Sequence, residues 1–449
     1  MEKGHDSMDM LRAGAKLVAA PQGRRRSPLD LVMNSRLGRL LGKIGIAPRR
    51  ASSEGLLDLA GALLSLRGKA SGPALASAFF DLYEASDLPA RQAFLGQIHD
   101  LYPRDTAAID AAIARWNGKR DDSAALALHD ATESPCQKLI RMLNLAPSGT
   151  RRLLGMRVDL LTAKEQTAGL KALDDEFEDA FTAWFNAGFL ELRRIGWDSP
   201  AVLLERIIKY EAVHSIDGWE DLRRRVEPVD RRCYGFFHPQ MADDPLIFVE
   251  VALTADLPSA IHQIIADERT IIDPHDASCA IFYSISNCQD GLRGIPFGNF
   301  LIKRVVGLLC DELPQLSTFA TLSPVPGFAK WLAQEQGKDA EIPADQELRE
   351  LAARYLVNGR NHKGLVLDSV ARFHLGNGAR LEAVHAEGDR SANGIRQSHG
   401  VMVNYVYDLA EIEANHFALA ELGTVAASKA VQALVDGVPV KGTKGGRAA

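Results

Sequence analysis

No stretch of the 449 residues stays apolar for the ~20 positions that a membrane-spanning helix needs. The first ten residues, MEKGHDSMDM, carry acids and no apolar signal core, and the final GGRAA is not a peroxisomal SKL-type address. Cysteine is scarce. The five (Cys136, Cys233, Cys279, Cys288, Cys310) form no CxxC and cannot all pair, so they are expected to act mostly as small apolar side chains in a reducing compartment. A cytoplasmic protein is the expectation. Basic excess is missing too: the net charge is −6, which argues against nucleic acid as a partner, and the run Arg24–Arg26 reads as part of a solvated arm.

Several catalytic signatures are absent as well. No GxGxxG follows a strand, no Gly-Lys-Ser/Thr marks a P-loop, and no GxSxG marks a nucleophile elbow. His362, His385 and His399 lie near one another without HExxH or comparable spacing, so no metal site is expected. There is no internal repeat.

What remains has the composition of an ordinary globular protein, 46% hydrophobic and 24% charged, with a length that favours more than one domain. Residues 1–30 read as a flexible N-terminal arm. From 31 to 188 the pattern is helical. Leu56, Leu57, Leu59, Leu63, Leu64 and Leu66 fall mostly on one broad face, and Leu170, Leu173, Phe177, Phe181 and Trp184 keep the spacing of one buried stripe. Ser71-Gly72-Pro73 and the Pro103 region are expected to break helices. From 189 to 449 short β-rich runs appear (CYGFFHP, PLIFVEVAL, CAIFYSIS, GVMVNYVYDL), with helical segments between them. The fold class expected is α+β and multidomain, an all-α helical bundle followed by a mixed α/β domain.

The segment SISNCQDGLRGIPFGNFLIKRVV, 284–306, places Gly291, Gly294 and Gly298 between a strand and an amphipathic helix. Glycines there admit a close ligand, and a helix N-terminus favours an anion such as phosphate; a tight turn alone also accounts for them. Lys303 and Arg304, inside the helix, suit a phosphate, a solvated face or a salt bridge. In LSPVPGF, Ser323 stands on a turn stiffened by Pro324 and Pro326, a rigid position for chemistry or simply a turn. His374, before Gly376-Asn377-Gly378, is expected at the start of a strand, as a catalyst or as a structural hydrogen-bonder.

Combination decides among these readings. YEAVHSIDGWEDLRRRV (210–226), DRRCYGFFHP (230–239), AIFYSIS with its glycine loop, FLIKRVV, LSPVPGF, ARFHLGNGA (371–379) and GVMVNYVY (400–407) run in one order, and together they resemble the malonyl-CoA decarboxylase family. That resemblance implies an acetyltransferase-like (GNAT-type) catalytic domain turned to decarboxylation, and a helical region that mediates homo-oligomerisation. It implies that the glycine loop, Arg293, Gly294, Ile295, Pro296, Phe297, Gly298 and Asn299, binds the CoA part of malonyl-CoA, and that Ser323 and His374 carry the chemistry. Some relatives have a carboxylate where this chain has Pro296, so no acidic role transfers there.

The chemistry implied is loss of CO2 from malonyl-CoA to leave an enolate, then protonation to acetyl-CoA. Because the thioester is the electron sink, no metal, biotin or pyridoxal phosphate is expected. His374 is the expected proton donor, on the premise that its pKa lies near working pH, with Ser323 as acceptor and positioner. Ser284 and Tyr405 suit either a pocket or the core. The alternatives are a CoA-dependent acyltransferase of the same fold and a non-catalytic CoA-binding interaction protein.

Overall fold

The computed structural model describes residues 52–65, 68–164, 167–295, 298–337 and 341–437. The expected arm, Arg24–Arg26, Leu66, Pro296 and Phe297 lie outside these. Helices come first. Asp87, Asp105, Asp121 and Ser134 each cap the helix that follows by accepting from a backbone N–H three residues on. The helix Ala168–Trp184 buries Leu170, Leu173, Phe177 and Phe181, the stripe read from the sequence. Pro73 does not break a helix, contrary to expectation: it sits inside Gly68–Ala85, in the second turn, where its missing N–H gives up one internal bond. Pro103 does lie between helices.

The sheet begins with β1, Glu191–Ile195, and continues through β2 (Arg231–Phe237), β3 (Ile247–Thr254), β4 (Cys279–Asn287), β5 (Thr318–Thr321), β6 (Ser323–Pro324), β7 (Arg380–His385) and β8 (Met402–Val406). Its order is β1-β2-β3-β4-β5-β8-β6, with β7 also paired to β8. Every pairing is antiparallel except β4 with β5. β1 and β7 were not among the runs picked out by hydrophobicity. Their sequences, ELRRI and RLEAVH, are charged and only partly buried, so burial did not mark them.

The main core is continuous from Leu56 in the helical region to Val431 near the C-terminus. Two smaller clusters pack on the sheet, one with the helices Ala201–Tyr210 and Trp219–Val226, the other around Ile281, Tyr283, Leu322 and Met402. No helix among the described residues is long and apolar enough to cross a membrane.

One irregularity of the sheet creates the site. β4 and β5 pair only as far as Phe282 and Thr321, with one further bond from Leu322 N–H to the Phe282 carbonyl at 3.1 Å. Beyond it, Ser323 and Pro324 turn to pair with Val403 and Met402 of β8, while β4 runs on against β3. The β3–β4 register also shifts there, leaving Tyr283 as an extra residue. Two neighbouring strands therefore part, and a gap opens between them.

Candidate active site

The gap is a cavity of about 340 Å³. Its apolar wall is Val213, Ile247, Phe282, Ile285, Val370 and Phe373, and Ser323 and His374 reach it from one side. Thus the two residues proposed from sequence, 51 positions apart, share one wall.

His374 is placed by a helix, Ser369–Gly376, and not at the start of a strand as the sequence suggested. The local signals for that helix are ordinary. Asp368 caps its N-terminus, accepting from Val370 and Ala371, and Gly378, at φ +81°, supplies the left-handed turn after its end. The Asp368 carboxylate also accepts from Gly327 N–H at 3.2 Å and from Tyr355 OH at 3.3 Å. Gly327 ends the turn that begins at Ser323, so one carboxylate fastens the Ser323 and His374 segments together.

A line of hydrogen bonds crosses the site. The Ser323 hydroxyl donates to Thr321 Oγ1 at 2.8 Å, and Ser323 Oγ stands 3.2 Å from His374 Nε2. His374 Nδ1 is 2.8 Å from the Tyr407 hydroxyl. With the serine proton committed to Thr321, Ser323 Oγ receives from His374, which places the imidazole proton on Nε2; Nδ1 then accepts from Tyr407 O–H. Tyr405 stacks on the imidazole, ring centroids 4.7 Å apart, and its own hydroxyl has no hydrogen-bond partner among the described residues.

Burial sets the charge state. His374 is 4% exposed, and desolvation lowers its pKa from 6.5 to about 3, so the ring is neutral at any physiological pH. This corrects the premise that it titrates near neutrality. Desolvation likewise pushes the Tyr405 and Tyr407 hydroxyls far above the usual phenol range.

Tyr407 and Thr321 were missed by the sequence reading. Strand alternation could have found both: Tyr407 shares a face with Tyr405, and Thr321 lies two residues before Ser323. Ser284 is not in this cavity's lining. It donates to Glu211 at 2.7 Å, as Ser286 does at 3.1 Å, and the same carboxylate accepts from Val213 and His214 N–H. That cluster fixes the loop that brings Val213 over the cavity.

The glycine loop lies between β4 and the helix Gly298–Glu312. Gly291 is a packing residue: a Cβ there would strike the backbone of Leu154 in the helix Gly149–Leu161. Gly294 has φ +87°, which only glycine adopts readily. Arg293 and Gly294 are exposed, Ile295 points into the core, and Gly298 and Asn299 open the helix. Lys303 pairs with Glu413 at 2.6 Å, the salt bridge held open for it, and Arg304 donates to the Leu190 carbonyl at 2.9 Å.

Comparison with known proteins agrees with this architecture. Residues 188–350 and 341–444 match the family model described as malonyl-CoA decarboxylase C-terminal domain, and residues 102–185 match that of the N-terminal domain. The mitochondrial malonyl-CoA decarboxylase of Anser anser anser is 37% identical over 347 residues, 66% of this chain and 68% of the goose protein. That of Rattus norvegicus is 34% identical over 346 residues, 66% and 70% of the two chains. Among solved structures, the malonyl-CoA decarboxylase of Agrobacterium vitis superposes with a TM-score of 0.79 at 48% identity, covering 84% of this chain and 99% of that one. The Rhodopseudomonas palustris enzyme gives 0.78 at 48%, covering 85% and 99%. The chain belongs to the malonyl-CoA decarboxylase family.

Proposed function

We propose that the chain converts malonyl-CoA to acetyl-CoA and CO2, with His374 as proton donor and Ser323 as its acceptor and positioner. The observation that carries this reading is a neutral histidine held between Tyr407 and Ser323 on the wall of an apolar cavity. A malonyl carboxylate among Val213, Ile247, Phe282 and Ile285 is poorly solvated, whereas the charge of the departing state spreads from carboxylate into thioester enolate. Apolar walls therefore favour departure over return. The α-carbon then takes the Nε2 proton of His374 while Tyr407 O–H passes its proton to Nδ1; Tyr407 regains one from solvent water, so each turnover consumes one solvent proton and the imidazole ends neutral. At 3.2 Å the Nε2–Ser323 bond is at the long end of its class, and the proton is held loosely.

The thioester itself accepts the electron pair, so the reaction calls for no metal, biotin or pyridoxal phosphate, and activity should survive exhaustive chelation. The loop 293–299 is the reading's site for the CoA phosphates, offered by its backbone at a helix N-terminus. Self-association through the helical region is also proposed. The helices Thr106–Gly118 and Asp122–Thr132 pack on one another yet each buries a single alanine, Ala112 and Ala124, and Ile113 and Leu126 face solvent. A cytoplasmic location fits five unpaired cysteines, four of them buried.

The test is a chelated incubation with malonyl-CoA, following CO2 and acetyl-CoA. Equal amounts of the two, with no acceptor added, support decarboxylation. Release of free CoA that depends on an added amine would make the chain an acyltransferase, and bound but unchanged thioester would make it a binding protein.

A further inference from the structure

We infer that Arg157, in the helical region, is a positioning residue for the glycine loop and sets its affinity for the CoA portion of the substrate. The inference rests on the proposal that this loop holds CoA. Arg157 is 0% exposed, on the helix Gly149–Leu161. Its guanidinium donates through Nε to Asp174 at 2.7 Å, through Nη2 to Glu178 at 2.8 Å, and through Nη1 to the Gly291 carbonyl at 3.0 Å. One planar fork therefore joins two helices of the helical region to the loop's first glycine. Gly291 rests on the Leu154 backbone, so the loop cannot recede, and Glu178 Oε1 lies 2.8 Å from where a Cβ on Gly294 would stand. The loop is clamped at 291 and bordered at 294.

Charge gives the clamp a second consequence. Asp174 and Glu178 stand beside a loop assigned to bind phosphates, and Glu178 is next to Gly294. Arg157 is the cation that contacts both carboxylates. Without it, two negative charges face an anionic ligand and the backbone N–H groups lose their fixed direction.

The experiment measures calorimetric Kd for coenzyme A, at low and high salt, and steady-state constants for malonyl-CoA and for a malonyl thioester of N-acetylcysteamine, which has no nucleotide. The variants are Arg157→Met, Arg157→Lys, Glu178→Gln and Gly294→Val, each first checked for cooperative unfolding. Arg157→Met should raise both the Kd for coenzyme A and the KM for malonyl-CoA about tenfold, the scale of one charge-assisted hydrogen bond. The effect should be larger at low salt, because screening hides the half-buried carboxylates. Constants for the short thioester should stay within about twofold, and Arg157→Lys should restore part of the affinity. If Arg157→Met does not fold, Glu178→Gln, at a side chain 43% exposed, replaces it, with a smaller rise in the Kd for coenzyme A expected at high salt, where the removed charge counts least. An unchanged Kd in the folded Arg157 or Glu178 variant, with Gly294→Val weakened, overturns the role of Arg157 and leaves the loop reading intact. An unchanged Kd in Gly294→Val as well overturns the loop reading itself. Equal losses for both thioesters would make Arg157 purely structural.

Discussion

The Asp368 carboxylate lies 3.2 Å from the Gly327 amide while it caps the helix of His374, so the two halves of the site meet at a single side chain. Ser323 and His374 come from separate elements, and their 3.2 Å separation depends on this tie. Replacing Asp368 by Ala should cost about 1–2 kcal/mol through the lost cap, and more because the Gly327 amide and Tyr355 hydroxyl lose an acceptor. The kcat of the folded fraction should fall with little change in KM. Denaturant titration and kinetics on Asp368→Ala and Asp368→Asn test both effects. Asn keeps an oxygen for the cap and should recover most of the stability.

His374→Gln and Ser323→Ala should each lower kcat by about 10²–10⁴, the usual span of a general acid–base group, while coenzyme A still binds. Tyr407→Phe removes the donor at Nδ1 and should reduce kcat by about 10² with normal unfolding. Full activity in Tyr407→Phe would show that His374 is not resupplied through Nδ1.

A neutral donor has a recognisable pH profile. An imidazolium acid would lose kcat above its pKa; His374, uncharged from about pH 3 upward, should give a kcat that does not fall between pH 6.5 and 8. A decline through that window with the slope of one proton would mean that the bound complex carries imidazolium.

Stability should change on the acid side. The unfolded chain protonates this histidine near pH 6.5, but the folded chain does so only near 3; His214 behaves alike, lowered by burial to about 4. Unfolded chains thus bind more protons between these values, and the stability present above pH 6.5 is lost as pH falls. Each histidine contributes a slope of about 1.4 kcal/mol per pH unit within its window. Denaturation midpoints from pH 7 to pH 4 should show a shallower decline in His374→Gln. Parallel curves would deny the buried neutral state.

Gly291→Ala should destabilise by about 1–3 kcal/mol, since the new methyl meets the Leu154 backbone, which cannot rotate away. Thermal melts of this variant beside Gly307→Ala, whose added Cβ has open space, separate the clash from a general glycine effect.

Sequence carried the layout well because apolar periodicity is a local signal. The stripe of Leu170 to Trp184 and the near-continuous apolar run of β4 follow from burial on one or both faces. Legibility failed where context overrides composition. β1 and β7 are charged strands recruited by neighbours, Pro73 lies where a helix tolerates it, and His374 belongs to a helix whose cap was overlooked. In the candidate site, Ser323 and His374 were visible as residues, but their contact, and the bond to Tyr407 33 positions away, are products of the sheet's topology. The neutral state of His374 was illegible for the same reason, since desolvation is a property of the packed surroundings. Gly291 carries a packing constraint that no local pattern shows: a Cβ there would meet the Leu154 backbone.

The parting of β4 from β6 separates the existence of the cavity from the identity of its walls. An opening made by divergent main chains persists when side chains are exchanged, whereas a hole left by a small side chain is refilled by a larger one. The lining of Val213, Ile247, Ile285 and Val370 can therefore be recut, one residue at a time, to admit bulkier groups or exclude them, with the hydrogen-bonded frame that holds the histidine left standing. Under the proposed function, the architecture is a template for altered acyl selectivity.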